Sequence, residues 1–91
     1  MAKSEIMINN EKTRVTRWVF EPGEDTGQHI HDYDYVVVPM KNGNLKIINH
    51  DGTVTISELT KGVSYFINKG ANHNVINYND FPFSFVEIEF K

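Results

Sequence analysis

The chain has 91 residues, 40% of them apolar and 23% charged, which describes a small globular unit with one modest core and excludes a disordered segment. Nine Lys and Arg against twelve Asp and Glu give a formal charge of -3 with no basic run, so nucleic acid is not an expected partner. The absence of cysteine excludes disulfides, thiol nucleophiles and thiolate-bound metals, leaving His, carboxylate or phenol for any metal.

The opening stretch, MAKSEIMINNEK, lacks the apolar run of a signal peptide, and the longest apolar run, at 36–40, is far too short to cross a bilayer. A cytoplasmic chain without a membrane partner is expected. No window of eleven residues holds a helical apolar period, whereas short β-branched and aromatic segments recur between turn residues. In chain order they predict strands at 6–9, 14–20, 27–32, 35–40, 45–49, 53–59, 64–66, 73–77 and 83–90. The first of these, with Ile6-Met7-Ile8, is more apolar than an isolated edge strand should be, which points to a homodimer. Glu21-Pro22-Gly23-Glu24-Asp25 is a polar turn into the segment that carries His29 and His31. Asn42-Gly43 and Asp51-Gly52 predict type I′ hairpin turns, and Lys69-Gly70-Ala71-Asn72 is a tight turn before His73. The result is an all-β reading: about nine short antiparallel strands over residues 1–91 as one domain, either a sandwich or a small barrel.

His29 and His31 stand two apart in one predicted strand, which places both imidazoles on one face, about 6.6 Å apart along the backbone. Such a pair can chelate one ion or simply form a solvated face. His73, in a distant strand after its own glycine turn, is a third candidate ligand, while His50 beside Asp51-Gly52 reads as a surface residue.

These residues carry a family resemblance. Gly23, His29, His31 and Gly43 resemble the first motif of the cupins, G, five residues, HxH, three or four residues, E, six residues, G. Gly62, Gly70, His73 and Asn77 match the second, G, five residues, PxG, two residues, H, three residues, N, with Asn68 in place of the proline. The segments TGQHIHDYDYVVVP, GVSYF, HNVIN and FVEIEF are similar to a subgroup of small single-domain cupins known as beta-alanine degradation proteins. The resemblance implies a double-stranded β-helix, or jelly-roll barrel, with one divalent transition metal (Fe, Zn, Ni or Mn) on His29, His31 and His73.

The family's glutamate falls at position 35 or 36, and here those residues are Tyr35 and Val36. Parity with His29 and His31 gives the ligand slot to Tyr35. Its phenol could bind as phenolate, donate a hydrogen bond to a bound ligand, or fill the barrel as an ordinary aromatic. Asp32 and Asp34 have the opposite parity and are expected in solvent unless a bulge turns Asp34 inward. In the last strand Phe83, Phe85, Glu87 and Glu89 share one face and Ser84, Val86, Ile88 and Phe90 the other, and either can face the barrel. Inward, Glu87 is the carboxylate placed for base work; outward, it is merely exposed. Arg17, between Val15 and Val19, is either an interior clamp for a substrate carboxylate or a surface residue.

Two functions follow. One is a metal-dependent enzyme of lyase, isomerase or dioxygenase type acting on a small, anionic metabolite. The other is a binding or sensing module using the same pocket without chemistry, and the fold alone does not choose between them.

Overall fold

The structure, a computed structural model, describes residues 1–91 and consists of nine strands without a helix. They are β1 (Lys3–Asn9), β2 (Thr13–Phe20), β3 (His29–Ile30), β4 (Asp34–Pro39), β5 (Gly43–Asn49), β6 (Val54–Leu59), β7 (Tyr65–Ile67), β8 (Asn72–Asn77) and β9 (Phe83–Phe90). All nine expected strands form. No helix is long and apolar enough to cross a membrane. The strands make two antiparallel sheets, one in the order β1-β2-β9-β4-β7 and the other in the order β3-β8-β5-β6.

Alternation along each strand decides which side chains the two sheets enclose. In β9 the buried residues are Phe83, Phe85, Glu87 and Glu89, and in β4 they are Tyr35, Val37 and Pro39. The enclosed space has two unlike ends. Phe20, Val37, Leu45, Leu59, Phe83 and Phe85 belong to the apolar core, where the Phe20 and Phe85 rings lie 5.4 Å apart. Half way along β9 the inner face changes from phenylalanine to glutamate, and the polar end this creates is where the histidines gather.

Two turn expectations need correction. β4 and β5 belong to different sheets, so Asn42-Gly43 is not a hairpin turn, and neither residue has positive φ. Gly43 is needed for space: a Cβ there would lie 2.9 Å from Phe83 Cε1 and 2.9 Å from Asn79 Oδ1. Asp51-Gly52 does close the β5/β6 hairpin, but only Gly52 is left-handed, at φ +88°, which rules out the two positive φ angles of a type I′ turn.

The segment expected as a strand at 27–32 narrows to His29–Ile30 because Gly27, at φ +79°, turns the chain just before it. Pairing nevertheless continues irregularly past β3. The His31 N–H donates to the Ala71 carbonyl at 2.9 Å, and the Gly70 N–H donates to the His31 carbonyl at 2.8 Å. Asn77, the last residue of the second motif, is a structural clamp. It is 2% exposed, donates from Nδ2 to the Phe81 carbonyl at 2.9 Å, and accepts from Asn79 Nδ2 at 2.7 Å.

Candidate metal centre

His29 lies directly opposite His73 in the β3/β8 ladder, and His31 follows two residues later on the same side. Backbone pairing alone therefore brings three imidazoles together. One ligand nitrogen from each lies within 4.8 Å of the others, close to the roughly 4.2 Å that two nitrogens bound to one ion can span. Small side-chain rotations complete the set.

The proton arrangement also suits an ion. His29 Nδ1 lies 2.9 Å from the Gly27 carbonyl, which can only accept, so the proton sits on Nδ1 and the lone pair on Nε2. That Nε2 faces His31 Nε2 at 3.0 Å. Two lone pairs do not face each other so closely without something positive between them, which is either a proton on His31 or an ion. Burial, reinforced by the neighbouring His29 and His73, pushes His31 down to about 4, and burial with His29 pushes His73 down to about 4. His31 and His73 are consequently neutral at pH 7, the form that binds metal. Three imidazoles suit zinc, copper, iron or nickel, so the residues present fit a divalent transition ion.

An open cavity of about 280 Å³ leads to His29 and His31, lined also by Arg14, Thr16, Trp18, Glu87 and Glu89. Glu87 points inward, 7% exposed, with Oε1 4.0 Å from His31 Nε2. Burial and the charge of Glu89 push its carboxyl up to about 7, opposed by the Trp18 indole and Arg14. Trp18 Nε1 faces this carboxylate without reaching hydrogen-bond geometry. Glu89 is held differently: Arg14 Nε and Nη2 donate to its two oxygens at 2.8 and 3.0 Å, a two-point pair that raises the guanidinium's pKa.

Tyr35 is on the inner side of β4, 1% exposed, as parity with the histidines requires, and Val36 lies on the outer side. Its ring stacks on His31, with centroids 3.9 Å apart and planes inclined by 19°. The phenol does not line the open cavity. It borders a separate inner void of about 20 Å³ with Tyr65, His73, Val75 and Glu87, and its hydroxyl has no hydrogen-bond partner. Burial, followed by the charge of Glu87, holds the hydroxyl protonated well above the ordinary phenol range.

Arg17 is not an interior clamp. It lies on the outer face of β2, half-exposed, 3.6 Å from Glu5. The cavity guanidinium is Arg14, which the sequence reading missed together with Thr16, Trp18 and the pairing role of Glu89. The missed signal is the even-numbered face of β2, Arg14, Thr16, Trp18 and Phe20, which carries the aromatics; the odd-numbered valines competed with it. Asp32 is exposed at the cavity rim, and Asp34 turns to the Lys69 backbone, whose N–H it accepts at 2.8 Å. His50 is exposed.

Residues 16–89 match the family model described as cupin domain. The chain is 41% identical over 86 residues to the beta-alanine degradation protein BauB of Pseudomonas aeruginosa, covering 94% of this chain and 90% of that protein. Among solved structures it is similar to a cupin domain from Bordetella pertussis, with 50% identity, a TM-score of 0.95 and coverage of 99% of this chain and 93% of that one. An RmlC-like cupin family protein from Methanocaldococcus jannaschii, with 16% identity, shares the fold at a TM-score of 0.81, over 99% of this chain and 80% of that one.

Proposed function

The chain belongs to the cupin family, and on that footing we propose that it is a metal-binding cupin whose one divalent transition ion, on His29, His31 and His73, acts on a small anionic metabolite. The observation that carries this reading is the convergence of three buried or half-buried imidazoles, a set that fits an ion, at the end of a small open cavity. The name of the Pseudomonas relative, a beta-alanine degradation protein, supports a small carboxylate as the ligand class. Fe, Zn, Ni and Mn remain the candidate ions.

When bound, the ion supplies Lewis acidity, polarising an oxygen of the ligand or of water. The chain's own residues do the rest. His29, whose ring is held by the Gly27 carbonyl, and His31, whose backbone pairs with Ala71 and Gly70 and whose ring stacks on Tyr35, bring their nitrogens to within small rotations of one centre. Arg14 holds Glu89 in place through their two-point pair, which adds no net charge to the cavity wall. Glu87 is the carboxylate that meets the ligand's donor group and, in an enzyme, takes its proton at Oε1.

The test is to incubate metal-loaded and metal-stripped protein with a panel of small carboxylates and follow them by proton NMR. Metal-dependent conversion of one member is the expected result. Metal-dependent line broadening without conversion supports a binding or sensing module instead, and no response from any member contradicts the ligand class.

A further inference from the structure

Thr26 is buried, borders the open cavity beside His29, and has no part in the chemistry described so far. Its place follows from the backbone, because residues 23–26 run alongside β8. The Gly23 N–H donates to the Asn77 carbonyl at 3.2 Å, the Asn77 N–H to the Glu24 carbonyl at 2.9 Å, and the Thr26 N–H to the Val75 carbonyl at 2.9 Å. The Val75 N–H returns a bond to Thr26 Oγ1 at 3.2 Å. Thr26 is thus tied, through both its backbone and its hydroxyl, to the residue two places beyond His73. One layer farther out, Asn74 Nδ2 donates to Asp25 Oδ2 at 2.8 Å, which leaves Asn74 Oδ1 facing the Thr26 hydroxyl at 3.5 Å.

The chain then turns at Gly27 and brings His29 back, so that its Nδ1 lies 3.2 Å from Thr26 Oγ1 as well as 2.9 Å from the Gly27 carbonyl. Counting protons decides the direction of the first contact. The hydroxyl has a single proton, and two oxygens are placed to take it, the Gly27 carbonyl at 2.9 Å and Asn74 Oδ1 at 3.5 Å. Nδ1 already carries the ring proton, as the Gly27 carbonyl requires, so Thr26 Oγ1 meets Nδ1 as an acceptor. Its lone pairs are then both used, one by the Val75 N–H and one by His29. A single acceptor settles the tautomer but lets the ring swing about the hydrogen bond; a second acceptor on another residue removes that freedom.

We propose that Thr26 is a positioning residue for the metal centre: its hydroxyl ties the His29 ring to β8, the strand of His73, and so sets the spacing of two of the three ligand nitrogens. Asp25 and Asn74 steady the hydroxyl from behind. The proposal rests on the reading above that His29, His31 and His73 share one ion. Its physical content is preorganisation, since a ring that is not held must be ordered when the ion arrives.

The test titrates metal-free wild type, Thr26→Val and Thr26→Ser with zinc against a competing chelator, and records the histidine ring nitrogens of each metal-free protein by NMR. Thr26→Val should bind zinc about tenfold or more weakly than wild type, the scale of an outer-shell partner, and Thr26→Ser, which keeps the hydroxyl, should recover most of the loss. The His29 ring signals should change in Thr26→Val without zinc, while those of the remote, exposed His50 stay as in wild type. Unchanged zinc affinity in Thr26→Val overturns the proposal. Equal losses in both variants assign the effect to the threonine methyl, and weaker zinc binding with unmoved His29 signals assigns it to another contact, each with the same consequence. If Thr26→Val does not fold, Asn74→Ala decides, because it keeps the hydroxyl but frees it from behind: weaker zinc binding supports the proposal and unchanged binding overturns it. A wild type that takes up no zinc removes the three-histidine reading and the proposal's metal role with it, whereas normal uptake with an indifferent Thr26 removes the proposal alone.

Discussion

At the scale of single residues, the polar end of the barrel contains titrations that oppose each other. His31 and His73 fall from their ordinary value of 6.5 to about 4, so in metal-free protein the unfolded state binds more protons between those limits. Stability from this source is present above pH 6.5 and lost as pH falls toward 4. Glu87 rises from 4.5 to about 7, so there the native state binds the extra proton, and that contribution is lost as pH rises from 4.5 to 7. Glu87→Gln should therefore stabilise metal-free protein at pH 8 and leave a steeper loss on acidification, both read by urea denaturation in chelator at pH 5, 6.5 and 8. A variant less stable than wild type at pH 8 would show that Glu87 is not held against its burial. The hydroxyl of Tyr35 is a second uncompensated group. Tyr35→Phe should raise metal-free stability by about 1 kcal/mol, since an unsatisfied buried polar group costs about 1–3 kcal/mol. If the metal-loaded variant then melts below loaded wild type, the phenol meets the ion or its ligand after all.

At the scale of elements, the site depends on which way β3, β8 and β9 turn their side chains. Gly43, at the start of β5, tests the packing at the opposite end. Its Cβ would overlap Phe83 and Asn79, so Gly43→Ala should lower stability by roughly 1–3 kcal/mol through overpacking, measured by the denaturation midpoint. A neutral change would mean that Asn79 moves aside freely. What could be read from sequence divides along the same line. The strands were legible because alternation and turn residues are local signals, and the two motifs located His29, His31 and His73. Sheet membership was not: Asn42-Gly43 looks like a hairpin, but the chain crosses from one sheet to the other there, a choice made by distant contacts. The inward sides of β2 and β9 were equally hidden, because valines alternate with a polar and aromatic face in the first and both faces of the second carry apolar residues. Only the register that sets Arg14 opposite Glu89 resolves both.

At the scale of the whole molecule, the outer face of the five-stranded sheet is unusually apolar. Register places Ile8, Val15, Ile88, Val36 and Phe66 in one cross-strand row, roughly 20 Å across at the usual strand spacing. Ile8 is 48% and Phe66 56% exposed. A bulge in β1 between Ile6 and Ile8 creates this row by turning Ile6 toward the cavity side, opposite Thr16, and Ile8 outward, opposite Val15. We propose that the expected homodimer uses this face, since a row crossing every strand can meet its own copy about a twofold axis. Light scattering at micromolar concentration should give a dimer for wild type and a monomer for Val36→Lys. A monomeric wild type would contradict the dimer, and a dimeric variant would return the contact to the β1 edge. That one ion sits on three histidines is tested most directly by elemental analysis of protein prepared without a chelating tag, alongside His73→Ala. Wild type should hold close to one transition-metal ion per chain, and the variant should lose it severely. Full occupancy in His73→Ala, or a wild type that takes up no ion when supplied with zinc, nickel, iron or manganese, would contradict it.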